Sequence, residues 1–153
     1  MGAFHLAQAN ISTGRWAFDH WRMRGFVSRI EAINDLAREA PGFVWRPTSE
    51  RMLEDLVRLG LDPMREAYNL SVWESVESLW AYAFSGVHLE AVKRGKQWFE
   101  PDSAFDVMWW VPAGHRPTTE EGLAKLELVK AHGPTPEGFT FRRRFPVPEH
   151  PAR

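Results

Sequence analysis

The side chain with the widest scope for chemistry in this chain is a histidine on a predicted helix. His88 shares one helix face with apolar residues and with Gly95, which has no side chain and would let a flat ligand approach. In a pocket, its imidazole could act as a general base near neutral pH. The alternative is a buried histidine that hydrogen-bonds a backbone carbonyl, as most buried polar groups are structural. Both interpretations are open.

Polar residues on three predicted strands are further candidates for binding. Asn10 ends the first strand on the same face as Gln8, so the pair could orient a substrate, although a strand-end asparagine also begins many turns. Asn69 lies in the third strand and faces either a pocket, a partner or solvent. Arg46 follows the second strand, where it could clamp a carboxylate with two hydrogen bonds or form an ordinary ion pair at a rim.

Eight tryptophans in 153 residues are too many for surface positions alone. Large aromatic side chains bury much apolar area and line cores, interfaces and ligand pockets. The sequence therefore leaves two interpretations, an aromatic box around a flat ligand or an aromatic core. They apply to Trp73, Trp80, Trp98, Trp109 and Trp110.

Composition excludes several classes of function. The absence of cysteine excludes disulfides, thiolate catalysis and cysteine-ligated metals, and it fits a cytoplasmic protein. A formal net charge of −1 predicts no nucleic-acid partner and no membrane partner. The sequence motifs of phosphate-binding loops, dinucleotide-binding folds, zinc proteases and serine hydrolases are missing. No protein-ligated metal site is predicted.

Hydrophobic periodicity predicts the elements that must position these residues. Strands are expected at 4–11, 42–46, 68–73 and 105–112, with a further strand at 139–145. Helices are expected at 23–37, 76–84 and 87–99, with a helical turn at 51–59 and a capped helix that begins near Thr118 and ends before Gly133. The β-α-β-β-α-β order predicts one ferredoxin-like α+β domain, residues 1–146, with helices on one face of an antiparallel sheet. Residues 147–153 are expected to form a mobile tail.

The fourth strand, Phe105–Pro112, is apolar on both of its faces. A sheet with helices on one side only would leave an apolar face in water, and such a patch promotes association. We therefore expect a homodimer in which a second protomer covers that face, although the sequence does not say which face it is.

Several segments together resemble a bacterial family of unknown function, DUF3291. They are FHLAQANIS, PGFVWR, NLSVWESVESL, the helix from His88 to Phe99, WWVPAGH and GPTPEGFTFRRRFP. The resemblance spans about residues 4–146. The family is placed in the dimeric α+β-barrel superfamily, with antibiotic-biosynthesis monooxygenases and heme-degrading monooxygenases, and this placement implies a dimeric α+β barrel.

The resemblance implies two kinds of chemistry. Some members of the superfamily oxidise aromatic substrates without a cofactor, and others bind heme between sheet and helices. The heme-degrading members use an asparagine on the first strand, a tryptophan after the third strand and a histidine on the next helix. Asn10 corresponds to the asparagine, Tyr82 stands at the place of the tryptophan, and His88 lies about one helical turn before the place of the histidine.

The sequence thus predicts a protein that binds, or an enzyme that acts on, a hydrophobic or aromatic small molecule, with a monooxygenase-like oxidation favoured by the resemblance. The alternatives are a heme-binding protein and a non-catalytic binding or regulatory module. We expect the pocket between the strands and the helices at 75–86 and 87–99. Its predicted catalytic residues are His88, Asn10 and Tyr82, and its predicted binding residues are Trp73, Trp80, Trp98, Asn69, Arg46 and Trp109.

Overall fold

Four strands of alternating side chains pair into one antiparallel sheet. The structure, a computed structural model, describes residues 3–149 except for the side chain of Val87. The strands are β1 (Phe4–Thr13), β2 (Phe43–Trp45), β3 (Glu66–Trp73) and β4 (Phe105–Pro112). Their order across the sheet is β2-β3-β1-β4, and every neighbouring pair is antiparallel. This is the ferredoxin-like arrangement, so the predicted ferredoxin-like α+β class is confirmed, and the dimeric form of the barrel stays a prediction.

Six helices connect and cover the strands. They are α1 (Arg24–Glu39), α2 (Ser49–Arg58), α3 (Val76–Ala83), α4 (Gly86–Lys93), α5 (Gly95–Trp98) and α6 (Thr119–His132). The hydroxyl of Thr118 accepts a hydrogen bond from the backbone N–H of Glu121, so the predicted cap begins α6 as expected. The single helix predicted over 87–99 is instead two helices, because the chain leaves α4 at Arg94 and restarts at Gly95, a poor helix former.

Strand register separates the side chains into two faces. We call one the cavity face, made by Leu6, Gln8, Asn10, Asn69, Ser71, Trp73, Asp106, Met108 and Trp110. The other is the core face, made by Ala7, Ala9, Ile11, Tyr68, Leu70, Val72, Val107, Trp109 and Val111.

Helices cover both faces of the sheet. The two predicted crossover helices, α1 and α3, pack on the cavity face, while α2 and α6 pack on the core face. The premise that one face would stay wet within a protomer is therefore wrong. The chain itself covers the core face, and the homodimer stays a prediction.

The core face is closely packed. Leu56 of α2 and Leu126 of α6 are buried against it at 3% and 1% exposure. Gly122 lets α6 approach the sheet, because a Cβ atom there would collide with the hydroxyl of Tyr68. The buried carboxylate of Asp55 accepts a hydrogen bond of 2.9 Å from the Thr119 hydroxyl and so joins α2 to α6.

The strand predicted at 139–145 is wrong. Phe139 exchanges two backbone hydrogen bonds with Met108, of 2.7 and 2.8 Å, after which the chain turns instead of pairing further. The alternating phenylalanines of this segment pack instead over the cavity face, where the Trp110 indole donates a 3.0 Å hydrogen bond to the Phe145 carbonyl. Of the predicted tail, residues 147–149 are exposed, and 150–153 lie outside the described residues.

Across residues 3–149, no helix combines the length and the apolarity that crossing a bilayer requires.

Candidate functional site

A cavity of about 390 Å³ lies between the cavity face of the sheet and helices α1, α3 and α4. This is the place where the sequence predicts a pocket. The strands form its floor, and the helices form its walls. Six of the nine predicted site residues line it, and two polar residues not singled out in advance, Asn34 and Asp106, join them. Its polar and aromatic lining residues include Gln8, Asn10, Asn34, Arg46, Asn69, Ser71, Trp73, Tyr82, His88 and Asp106.

The floor carries a chain of hydrogen-bonded polar side chains. The amide of Asn10 donates to Gln8 Oε1 over 3.1 Å, and the Gln8 amide donates to Ser71 Oγ over 2.8 Å. The Trp73 indole also donates to Ser71 Oγ, at 2.8 Å. Because each group is held by the next, the orientations of these amides are fixed before any ligand arrives.

Both interpretations of His88 that the sequence left open describe part of its surroundings. Its Nδ1 lies 2.8 Å from the backbone carbonyl oxygen of Ala83, and its ring lines the cavity. A carbonyl can only accept, so Nδ1 carries the proton and Nε2 of the neutral ring keeps a free lone pair. Burial lowers the pKa of His88, while the hydrogen bond to Ala83 raises it in part. At neutral pH the imidazole is therefore an uncharged base.

Tyr82 forms an aromatic wall beside His88. Its ring centroid lies 4.9 Å from that of His88 and 5.2 Å from that of Trp73, with which it stacks. Its hydroxyl donates to the carbonyl of Ile33 over 3.0 Å. Burial raises the pKa of Tyr82 to about 12, so the phenol stays protonated at neutral pH. Its geometry suits packing against a flat ligand better than proton transfer.

Arg46 is a cavity-lining cation with incomplete hydrogen bonding. Nη2 makes a long contact of 3.4 Å with Asn69 Oδ1, and Nε and Nη1 are buried without a partner among the described residues. Burial lowers the pKa of Arg46, and the positive charge of Arg38 lowers it further. The predicted rim ion pair is not seen in the described part of the chain.

Two polar lining residues were not singled out from the sequence. Asn34 is buried on α1, four residues after Ile30 and three before Ala37, so a polar residue interrupts an apolar helical stripe. Asp106 lies on β4 opposite Asn10. Its side chain is exposed at the cavity mouth, yet partial desolvation of the carboxyl raises its pKa. Both residues could have been recognised in the sequence, because each is a polar residue on an otherwise apolar face.

The tryptophans divide between the site and the core. Trp73 lines the cavity with 1% exposure, whereas Trp80 is 41% exposed beside Phe84 and does not line it. The structure also leaves Trp98 and Trp109 outside the cavity. Trp98 follows the break at Arg94 and packs against α1, and Trp109 lies on the core face, where its indole donates to Glu121 over 2.9 Å. The predicted aromatic box therefore reduces to Trp73 with Tyr82.

The residues of the cavity do not fit heme. A heme carries two negatively charged propionates, which are normally paired with cations. The lining residues of the cavity include one unpaired cation, Arg46, and a carboxylate, Asp106, which would repel a propionate. Gly95, expected to admit a flat ligand, is not among the cavity-lining residues, and a Cβ atom there would meet only open space. Within residues 3–149, no three histidine or carboxylate side chains are grouped to hold a metal ion.

Two solved structures show a distant likeness to this chain. A protein from Nitrosomonas europaea assigned as an antibiotic biosynthesis monooxygenase has a TM-score of 0.49 at 10% identity, covering 77% of this chain and 97% of its own. SnoaB, a cofactor-independent oxygenase from Streptomyces nogalater, has a TM-score of 0.46 at 18% identity, covering 78% and 100%. At these values neither likeness bears on the chemistry of this chain, and the fold rests on the strand order described above.

No curated protein matches the sequence. The sequence profile of a family described as a domain of unknown function, DUF3291, matches residues 5–153, which is nearly the whole chain. The segments that resemble this family include the strand residues of the cavity floor and the helix of His88. The chain therefore belongs to the DUF3291 family.

Proposed function

We propose that this protein binds a hydrophobic small molecule with an aromatic ring in the cavity between the sheet and helices α1, α3 and α4. The observation that carries the proposal is a cavity of about 390 Å³ with apolar walls and a polar floor. Ligand pockets commonly occupy about 300–1,000 Å³, and a few placed polar groups in them fix the orientation of the ligand.

The walls favour a flat ligand. Trp73 and Tyr82 stack with an interplanar angle of 26°, and Tyr82, the more exposed of the two, presents its ring beside the polar floor. Aromatic pairs prefer offset or edge-on contacts, so a further ring could pack against this wall. At the mouth, Phe84 and Val92 are exposed at 47% and 59%, and these apolar groups would be covered by a bound ligand.

A second function, oxidation of the bound molecule, is favoured by His88. The Nε2 lone pair would take a proton from an acidic O–H or C–H group of the ligand, leaving an electron-rich anion. Dioxygen from solution would take one electron from that anion and combine with the resulting radical to form a C–O bond. The His88 imidazolium would then return its proton to the peroxide oxygen, so that the ligand and dioxygen together give a hydroperoxide. The predicted catalytic partner Asn10 lies on the same cavity floor, where its amide could orient the reacting group.

The binding function is tested by identifying what the protein carries. We expect protein purified without denaturants to release an aromatic small molecule when it is unfolded and extracted, as detected by mass spectrometry. An absorption spectrum of the same sample serves as the control for heme. A strong band at the blue edge of the visible range would contradict the fit of the cavity described above.

A pair of variants separates binding from oxidation. His88→Ala should leave a folded protein but abolish oxygen consumption with the identified ligand, since the base is lost. It also leaves the Ala83 carbonyl without its partner, which should lower the free energy of unfolding by about 1–3 kcal/mol. His132→Ala is the control, since that histidine ends α6 and lies away from the cavity. Unchanged oxygen consumption in His88→Ala would reject the catalytic role.

The predicted homodimer is tested separately. Light scattering at micromolar concentration should give twice the mass of the 17.7 kDa chain. A single-chain mass would reject the dimer and leave the cavity, which one protomer forms alone, unaffected.

A further inference from the structure

We propose that the ligand of this cavity carries a carboxylate and that the guanidinium of Arg46 binds it. This inference rests on the proposed binding function and adds the chemical class of the ligand. The walls and the floor described above would accept many aromatic molecules. Arg46 is the feature that distinguishes among them by charge.

The guanidinium of Arg46 has buried donors that lack partners. Arg46 Nε and Nη1 are buried without a partner in residues 3–149, and Nη2 reaches only Asn69 Oδ1 at 3.4 Å. Leaving buried donors of a charged group unpaired is costly, so such groups normally mark a missing partner. The guanidinium has five donors in a planar fork, and a carboxylate matches two of them at once.

The charges around Arg46 leave it without a neutralising partner. The positive charge that lowers its pKa, that of Arg38, is itself paired with Asp35 at 2.8 Å. Glu31 exerts only the weakest of the charge effects on Arg46, and no carboxylate of the described residues forms an ion pair with it. Asp106, the acid of the cavity, lies on β4, and strands β3 and β1 separate it from Arg46. One end of the cavity is therefore positive and the other negative.

A ligand bound at Arg46 would lie along the polar floor of the cavity. Asn69 stands next to Arg46, and across the strand pair it faces Asn10. A carboxylate at Arg46 would place the apolar body of the ligand over the floor, between the Trp73–Tyr82 wall and the mouth. The proposal requires the guanidinium to turn toward the cavity, and the long flexible stem of arginine allows this.

The test uses two probes of equal shape and different charge, 2-naphthoate and 2-naphthamide. Isothermal titration or quenching of tryptophan fluorescence measures the affinity of the full chain for each. We expect naphthoate to bind at least about tenfold more tightly, as a hydrogen bond to a charged group contributes about 1.5–3 kcal/mol.

Two substitutions test the residue itself. Arg46→Met keeps much of the apolar stem and removes the charge, and Asn69→Asp gives Arg46 a carboxylate from the protein. Both should lower naphthoate affinity by about tenfold or more and reduce the ratio of naphthoate affinity to naphthamide affinity by a similar factor. Arg46→Lys keeps the charge without the fork and should restore part of the preference. If Arg46→Met fails to fold, Asn69→Asp still gives the answer.

The outcomes are distinct. Equal affinity of the wild-type protein for the two probes, or an unchanged preference in both Arg46→Met and Asn69→Asp, would overturn the carboxylate proposal while leaving a binding cavity. Failure of both probes to bind the wild-type protein would overturn the proposed function and this inference with it.

Discussion

The two faces of the sheet are made by alternate residues of the same strands, but they differ in what they bury. On the core face, Leu70 and Val72 are each 1% exposed and pack against α2 and α6. On the cavity face, Asn69 and Ser71 alternate with them and meet a cavity. A covered face that retains polar side chains lowers stability unless those groups are paired. Their presence distinguishes the face that borders a cavity from the face that is closely packed.

The largest expected effect comes from placing the same charge on each face of β3. Leu70→Asp buries a carboxylate with no partner and should lower the free energy of unfolding by about 3–5 kcal/mol or more. Asn69→Asp places its carboxylate one residue away but beside Arg46, so the free energy of unfolding should stay the same or rise. Chemical denaturation of both variants gives the comparison. Equal destabilisation would remove the distinction between the faces.

A smaller effect is expected from the polar chain on the cavity face. Ser71→Ala removes the acceptor used by both Gln8 and Trp73, so two buried donors lose their partner. The expected loss is about 1–3 kcal/mol in the free energy of unfolding. Ser28→Ala is the control, because the Ser28 hydroxyl is exposed and bonds within its own helix. A Ser71→Ala protein as stable as the Ser28→Ala protein would show that the chain does not order the floor.

The smallest effect concerns the pH dependence of stability. The pKa of His88 is lower in the folded protein than its ordinary value of 6.5, so the unfolded chain binds more protons between those two values. The contribution of His88 to stability is therefore fully present above about pH 6.5 and is lost as the pH falls through the folded pKa. Tyr82, with a pKa of about 12, does not titrate in this window.

Thermal unfolding of the wild-type and His88→Gln proteins from pH 7.5 to pH 5 measures this contribution. Glutamine does not titrate, so the stability advantage of the wild-type protein over the variant should shrink as the pH falls. An advantage that stays constant, or grows on acidification, would contradict a neutral His88 in the cavity.

Much of the sheet could be predicted from the sequence because strand residues alternate. The alternation along Phe105–Pro112 places Trp109 and Met108 on opposite faces, as the structure does, but alternation does not say which face holds a pocket. Trp109, a predicted binding residue, lies on the core face outside the cavity. The packing of α2 and α6 on the core face could not be predicted for a related reason. The Thr118 cap predicted α6, yet nothing local in that helix tells which face of the sheet it will meet. Long-range packing decides such questions.

The sequence predicted the location of the cavity better than it predicted which residues line it. His88, Asn10 and Asn69 stood out as polar residues among apolar ones, and all three line the cavity. The sequence does not show that Trp98 packs against α1. The helix before it breaks at Arg94, and Gly95 is the one local signal of that break. The alternation of Phe139, Phe141 and Phe145 was misleading, since aromatic side chains that pack on a sheet from a turn can share the spacing of a strand.

The close approach of α6 to the sheet at Gly122 sets a limit for anyone who wishes to engineer a more heat-resistant form of this protein. Replacing a glycine within a helix by alanine commonly stabilises a protein by about 0.4–1 kcal/mol, since it restricts the unfolded chain. At Gly122 the added methyl group would meet the Tyr68 hydroxyl and push α6 away from the sheet. A design protocol that ranks substitutions by helix propensity alone would favour this substitution and lose stability there.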